Sequence, residues 1–177
     1  MTTGDRQRAL EHVTIPCPWG RAVVQVREGL IVAVELSSQP ASSAPVGPWA
    51  AMVEALVQGA DPGPWLGLCN WRRCRPFARR VLEVLATTVP CGSTITYGAL
   101  AQRAGCPGAA RAVGRVMAGN PFPLVVPCHR CVAATGLGGF QGAAAPSMLK
   151  QAMLDWERRR SGSGDPKNGS WTMGFGL

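Results

Sequence analysis

The stretch Asn120-Pro121-Phe122-Pro123-Leu124-Val125-Val126-Pro127-Cys128-His129-Arg130-Cys131 constrains this chain more than any other. Prolines fence the apolar triplet Leu124 to Val126, which is expected to be a short buried strand. A thiol, an imidazole and a guanidinium follow it directly. The thiolate is the reactive form of cysteine, and a neighbouring His or Arg is expected to lower the pKa of Cys128. The chain has only 2 histidines, so one beside a cysteine is a selective use of a scarce residue. Three readings are open at this point. Cys128 is a small buried hydrophobe, or it forms a C-x-x-C with Cys131 as a redox dithiol or half a zinc site, or it is a nucleophile fixed at a strand end.

The chain of 177 residues, 46% hydrophobic, suits one domain or two small ones sharing a core. It contains no run of roughly 18 apolar residues, the length a membrane-spanning helix needs. The polar start, Met1 to Glu11, lacks the apolar core of a signal peptide, so a cytoplasmic location is expected. The 7 cysteines are odd in number and scattered, which fits reduced thiols rather than a disulfide framework. Net charge is +8, and 16 of the 18 basic residues are arginine, whose planar fork matches phosphate. That balance leans towards an anionic partner, nucleic acid first.

Residues 1–12 are expected to be a frayed lead-in. The β-branched runs Arg21 to Arg27 and Leu30 to Leu36, joined by Glu28-Gly29, predict a hairpin. Ser37 to Gly47 is a loop by composition. Pro48 opens a helix with Trp49, Met52, Val53 and Leu56 on one face, closed by Gly59. Asp61 to Cys74 is a long connection, and Arg72, Arg73 and Arg75 form a solvated or phosphate-facing cluster. Cys69 and Cys74 do not make a second C-x-x-C, so no metal site is expected. Pro76 starts a helix to Pro90 with Phe77, Val81, Val84, Leu85 and Thr88 on one face.

Thr96 is positioned to cap a helix from Tyr97 to Ala104. The turn Gly105-Cys106-Pro107-Gly108 leads to a second helix, Ala109 to Ala118, ended by Gly119. Helix, short turn, helix is the helix-turn-helix pattern. Small residues in the second helix (Ala109, Ala110, Ala112, Gly114, Ala118) let a backbone approach a groove, while Arg111 and Arg115 project. Thr135 to Gly142 is a glycine-rich loop without the ending of a P-loop. Pro146-Ser147 starts a last helix with Met148, Leu149, Ala152, Met153 and Trp156 on one side and Glu157 at its end. Arg158 to Leu177 is expected to be a disordered basic, Gly/Ser-rich tail.

These residues together resemble the O6-alkylguanine-DNA alkyltransferase family. The resemblance is close from Pro76 to Glu157 and rests on Val89-Pro90-Cys91-Gly92-Ser93-Thr94-Ile95-Thr96-Tyr97, Ala110-Arg111-Ala112-Val113-Gly114, Gly119-Asn120-Pro121 and Val126-Pro127-Cys128-His129-Arg130. It is looser over residues 13–75, where Pro18-Trp19-Gly20 and the hairpin carry it. The implied fold is an α/β N-terminal domain, a small antiparallel sheet plus helix over residues 1–70. A mainly helical C-terminal domain with a helix-turn-helix follows over 71–158, then the tail, 159–177.

The implied activity is direct reversal of DNA damage. An alkyl group passes irreversibly from guanine O6, less readily from thymine O4, to Cys128, once per molecule. The resemblance implies Cys128, His129, Glu157, Tyr97 and Asn120 as catalytic residues. Arg111, Ala110, Gly114, Tyr97, Gly98 and Arg79 would contact the minor groove, with Arg111 filling the place of a flipped base. Met117, Cys131, Gly139, Phe140 and Gln141 would line the base pocket. Double-stranded DNA carrying alkylated bases is the implied partner, with no membrane, obligate protein partner, cofactor or metal. The family's usual Gly-Tyr in the loop is Gly139-Phe140 here, Gln141 stands where a hydroxyl residue is common, and Cys131 and Leu82 replace an apolar residue and a Trp. Two other functions compete: a thiol-disulfide oxidoreductase using Cys128 and Cys131, and a lesion-binding protein that performs no transfer.

Overall fold

The computed structural model of the protein describes residues 9–41, 47–141 and 147–161. Glu28 and Gly29 both have positive φ, 53° and 73°, the pair of angles that a two-residue hairpin turn needs. They join β2 (Gly20–Arg27) to β3 (Leu30–Ser37), as the sequence predicts. A third strand, β1 (Glu11–Cys17), pairs antiparallel with β2 on the open edge, giving the order β1-β2-β3. This corrects the expectation of a frayed lead-in through residue 12. Polar residues and Pro16 hide β1 from a propensity reading, yet an edge strand tolerates proline because one row of its backbone groups faces outward.

Alternation along β2 buries Ala22, Val24 and Val26. Helix α1 (Pro48–Val57) packs against β1 and brings Met52, Val53, Leu56 and Val57 into the core. Gly59 follows at φ 94°. The expected long connection contains a short helix, α2 (Gly63–Leu66), and a 3-10 turn, Trp71–Arg73. Buried residues from both halves of the chain form one continuous hydrophobic cluster. Strand β3 helps join them: the Val34 N–H donates to Pro121 O at 2.8 Å.

Helix α3 (Pro76–Thr88) has proline in its first turn and buries Val81, Leu82, Leu85 and Ala86. Its inner face is therefore rotated from the expected one, with Leu82 inside and Thr88 exposed. Thr96 caps α4 (Tyr97–Arg103) through its hydroxyl oxygen, which accepts from the Ala99 N–H at 3.2 Å. The turn over 104–109 leads to α5 (Ala110–Ala118), which packs on α3 and α4 and buries Val113 and Met117. Helix α6 (Met148–Ser161) buries Lys150, Met153, Leu154 and Glu157, while Met148 is exposed. Arg158, Arg159 and Arg160 thus belong to a helix rather than to the expected tail, whose remainder, 162–177, lies outside the described residues. So do Gly142 and Pro146 of the loop and helix expectations, and residues 42–46 of the Ser/Pro/Ala loop. No helix among the described residues is long and apolar enough to cross a membrane.

Candidate active site

Leu124 decides the local path of the chain. Its φ of 79° is incompatible with the strand expected over 124–126. Proline at 121, 123 and 127 removes backbone donors, so the segment folds on Asn120 instead. The Asn120 side chain donates to Val126 O at 3.0 Å and accepts from the Phe122 N–H at 3.0 Å. The Val126 N–H closes the loop onto Phe122 O at 2.7 Å. Pro127 (φ −78°, ψ 64°) then sits at the centre of an inverse γ-turn, sealed by Cys128 N–H to Val126 O at 2.8 Å. Cys128 begins a 3-10 turn, Cys128–Arg130, after which β5 (Cys131–Val132) pairs parallel with β4 (Ile95–Thr96). That pairing sets Tyr97 beside the reactive segment.

The three side chains of this turn are buried together with Glu157 from α6. His129 Nε2 lies 2.7 Å from Glu157 Oε1. Arg130 Nη2 donates to Oε1 at 2.9 Å, its Nε donates to both carboxylate oxygens at 3.1 and 3.0 Å, and its Nη1 donates to Val89 O at 2.8 Å. The Gly92 N–H completes the carboxylate at 3.1 Å. Burial alone would push the Glu157 carboxyl up, but His129 and Arg130 outweigh it and hold it down at about 2. An ionised carboxylate only accepts, so the His129 proton must sit on Nε2. Nδ1 then carries a buried lone pair, and it has no partner among the described residues. Burial also lowers the His129 pKa, keeping the ring neutral and able to take a proton.

The thiol differs from the sequence expectation. Burial raises the Cys128 pKa, opposed by the Asn120 side chain, the charge of Lys150 and nearby backbone N–H groups. Arg130 is committed to Glu157 and does not activate the thiol. The site holds a shielded neutral thiol next to a neutral imidazole, with an ionised carboxylate behind the ring; groups of these types can supply a nucleophile, a base and its orienting partner.

Lys150 went unnoticed in the sequence. It is fully buried, and its ammonium donates to Cys131 O and Leu137 O at 2.7 Å each and to Gly139 O at 3.2 Å. No carboxylate faces it among the described residues. It ties the glycine-rich loop to β5 and lies 6.0 Å above the Tyr97 ring. Lys150→Met strands three carbonyl oxygens, each worth about 1–3 kcal/mol when left without a donor. Set against the relief of a buried ammonium, a net loss of roughly 2–4 kcal/mol is expected in urea unfolding, with faster amide exchange at 137–139.

Gly138 has φ 69°, and a Cβ there would stand 2.9 Å from the Tyr97 hydroxyl. Gly138→Ala is expected to destabilise by about 1–2 kcal/mol from backbone strain alone, read from the urea midpoint. Phe140 and Met117 are buried. Gln141 directs its amide to Leu36 O at 3.4 Å, joining the loop to β3. On the outer side, Arg111 is exposed, and a Cβ at Gly98 or Gly114 would meet nothing within 4 Å. Nothing in the chain's own packing requires either glycine to be small. Ala110, beside Arg111, is half-buried. Arg79 pairs with Glu83 at 2.8 Å and lies over the Trp71 ring, so it is already engaged. Among the described residues, no group of three or more His, Cys, Asp or Glu side chains is arranged to hold a metal ion.

Residues 76–159 match the family described as 6-O-methylguanine DNA methyltransferase, DNA binding domain. The chain is 41% identical over 106 residues to the methylated-DNA–protein-cysteine methyltransferase of Methanothermobacter thermautotrophicus, covering 59% of this chain and 57% of that one. It is 41% identical over 106 residues to the human protein of that name, covering 56% and 50%. The chain thus spans about half the length of the curated relatives it matches. Among solved structures, the O6-methylguanine-DNA methyltransferase of Pyrococcus kodakaraensis shares the fold, with TM-score 0.68 at 24% identity over 84% of this chain and 99% of that one. The Mycobacterium tuberculosis protein solved in complex with DNA has TM-score 0.62 at 28% identity, covering 84% and 93%.

Proposed function

We propose, from the match of residues 76–159 to the family described as 6-O-methylguanine DNA methyltransferase, DNA binding domain, that the chain repairs DNA by moving an alkyl group from guanine O6 to Cys128. The observation that carries this reading is the buried Cys128-His129 pair with Nε2 fixed by Glu157 and Nδ1 unpartnered. His129 takes the thiol proton, through water, and Glu157 stabilises the imidazolium. The Cys128 sulfur then attacks the alkyl carbon as the carbon–O6 bond breaks, and its electron pair returns to the base. Tyr97 donates a hydrogen bond to guanine N3 and passes that proton on as the base departs, so the base leaves neutral, and the proton held by His129 restores the phenol through water. A thioether is a poor leaving group, so each molecule reacts once. O4-alkylthymine reacts by the same route, less readily.

Double-stranded DNA carrying alkylated bases is the partner. Helices α4 and α5 with their turn act as a helix-turn-helix, and α5 enters the minor groove. Gly98, Ala110 and Gly114 leave room for the backbone, and Arg111 takes the place of the flipped base. Arg79 borders the groove while holding Glu83. Met117, Cys131, Gly139, Phe140 and Gln141 surround the base, with Gln141 acting through the loop it anchors. Asn120 braces the turn that presents Cys128. Residues 1–70 form the supporting α/β domain and the chain from residue 71 through α6 the reacting one, in a cytoplasmic protein. The test is a lesion count: duplex bearing O6-methylguanine is mixed with increasing protein, digested and assayed for the modified base. Loss of one lesion per protein molecule, with no further loss on longer incubation, is expected. Repeated turnover, or no loss, rejects the proposal.

A further inference from the structure

A hollow of about 670 Å³ lies between β3, the segment before α3 and the flank of α5. Its floor is apolar, with Phe77, Val116 and Phe122, and its walls carry Arg73, Arg75 and Arg115. No acidic residue lines it among the described residues. None of these three guanidinium groups has an ion-pair or side-chain hydrogen-bond partner among the described residues. Arg79, Arg103, Arg130 and Arg158, by contrast, are all engaged. Three arginines facing one space repel each other unless an anion comes between them.

We propose that this hollow seats the sugar-phosphate backbone of the bound duplex, with Arg73, Arg75 and Arg115 gripping its phosphates. The inference rests on the reading of α5 as the DNA-contacting helix. Successive residues of a helix turn by roughly 100°, so Arg115 stands about 40° around α5 from Arg111 and on the side of Ala112 and Val116. Ala112 and Val116 line the hollow. Arg115 therefore marks the border between the face that meets the groove and the hollow beside it. A strand leaving that face runs next into the hollow. The guanidinium fork fits phosphate oxygens, and the apolar floor fits the carbon face of deoxyribose. The segment before α3 thereby joins the DNA footprint.

The full chain and its R73A/R75A/R115A variant are compared for binding to lesion-free duplex over a range of salt. Each phosphate contact contributes roughly 0.9 to the slope of log affinity against log salt. The triple variant is expected to have a slope shallower by roughly 2–3, while its transfer rate with free O6-benzylguanine base matches wild type. R27A, which removes an exposed arginine from the sheet, is expected to leave the slope unchanged. If wild type repairs duplex but the triple variant keeps the wild-type slope, the hollow is not a DNA site and the proposal falls alone. Saturable binding of guanosine monophosphate that the triple variant lacks, with an unchanged slope, overturns it in favour of a free nucleotide. A wild-type chain that binds no duplex overturns the DNA reading of α5 and this proposal with it.

Discussion

Glu157→Gln is expected to lower the unfolding free energy by about 3–5 kcal/mol at neutral pH, the usual result of leaving a buried charge without its partner. The substitution keeps the volume of the side chain but not its charge. Arg130, which is 4% exposed, loses the carboxylate that accepts from its Nε and Nη2. The new amide also turns a donor towards groups that are themselves donors, among them the Gly92 N–H. Such a loss is a large part of the roughly 5–15 kcal/mol that holds a typical domain. On the proposed mechanism the His129 imidazolium then lacks its counter-charge, so transfer is expected to fall by about 10²–10⁴-fold under conditions where the variant is still folded.

The same carboxylate makes a pH prediction. Glu157 titrates at about 2 in the fold and near 4.3 unfolded. Its contribution is fully present above about pH 4.3 and disappears as pH falls towards 2. The stability gap between wild type and Glu157→Gln is therefore expected to close over that acid range. Urea unfolding of both proteins in buffers from neutral to acid checks it. A gap that stays constant across the range would mean that the carboxylate is not held down in the fold.

Arg111→Ala is expected to separate two substrates. A base inside a duplex must leave the stack, at a cost of a few kcal/mol that a side chain filling the gap offsets. A free alkylguanine base carries no such cost. Every 1.4 kcal/mol is tenfold, so duplex repair is expected to slow by about 10²-fold, while reaction with free O6-benzylguanine stays within about twofold. Arg111 is exposed and its side chain has no internal partner among the described residues, so the fold is expected to change by no more than about 0.5 kcal/mol. Equal slowing of both substrates would remove Arg111 from the flipping step.

Much of the scaffold was legible because its signals are local. Thr96 as a cap, Pro76 in a first turn, Glu28-Gly29 as a tight turn and the two short helices after Tyr97 all stand where the residues place them. The errors share a physical cause, which is tertiary demand overriding a local pattern. The apolar triplet Leu124 to Val126 looks like a strand, but Asn120 satisfies the backbone of that segment and Leu124 takes a left-handed turn. In α6 the apolar positions 149, 152, 153 and 156 suggest one inner face. The buried stripe is instead 150, 153, 154 and 157, equally well spaced for a helix.

That stripe was invisible because two of its members, Lys150 and Glu157, are charged, and charged residues are ordinarily assigned to solvent. Each is buried for partners distant in sequence: the Cys131 carbonyl of β5 and two loop carbonyls for Lys150, the His129-Arg130 pair for Glu157. The spacing of seven between them, two turns along one helix face, was the signal available. The direction of the Cys128 shift was misjudged for a related reason. Adjacency in sequence put Arg130 next to the thiol, whereas the fold spends it on Glu157 and leaves desolvation to dominate.

The most direct test is the mass of the intact protein after mixing with excess duplex carrying one O6-methylguanine, followed by peptide mapping. A gain of one methylene, confined to the Cys128 peptide and saturating at one per protein, is the predicted result. An unchanged mass, or a methyl group on any residue other than Cys128, would contradict it.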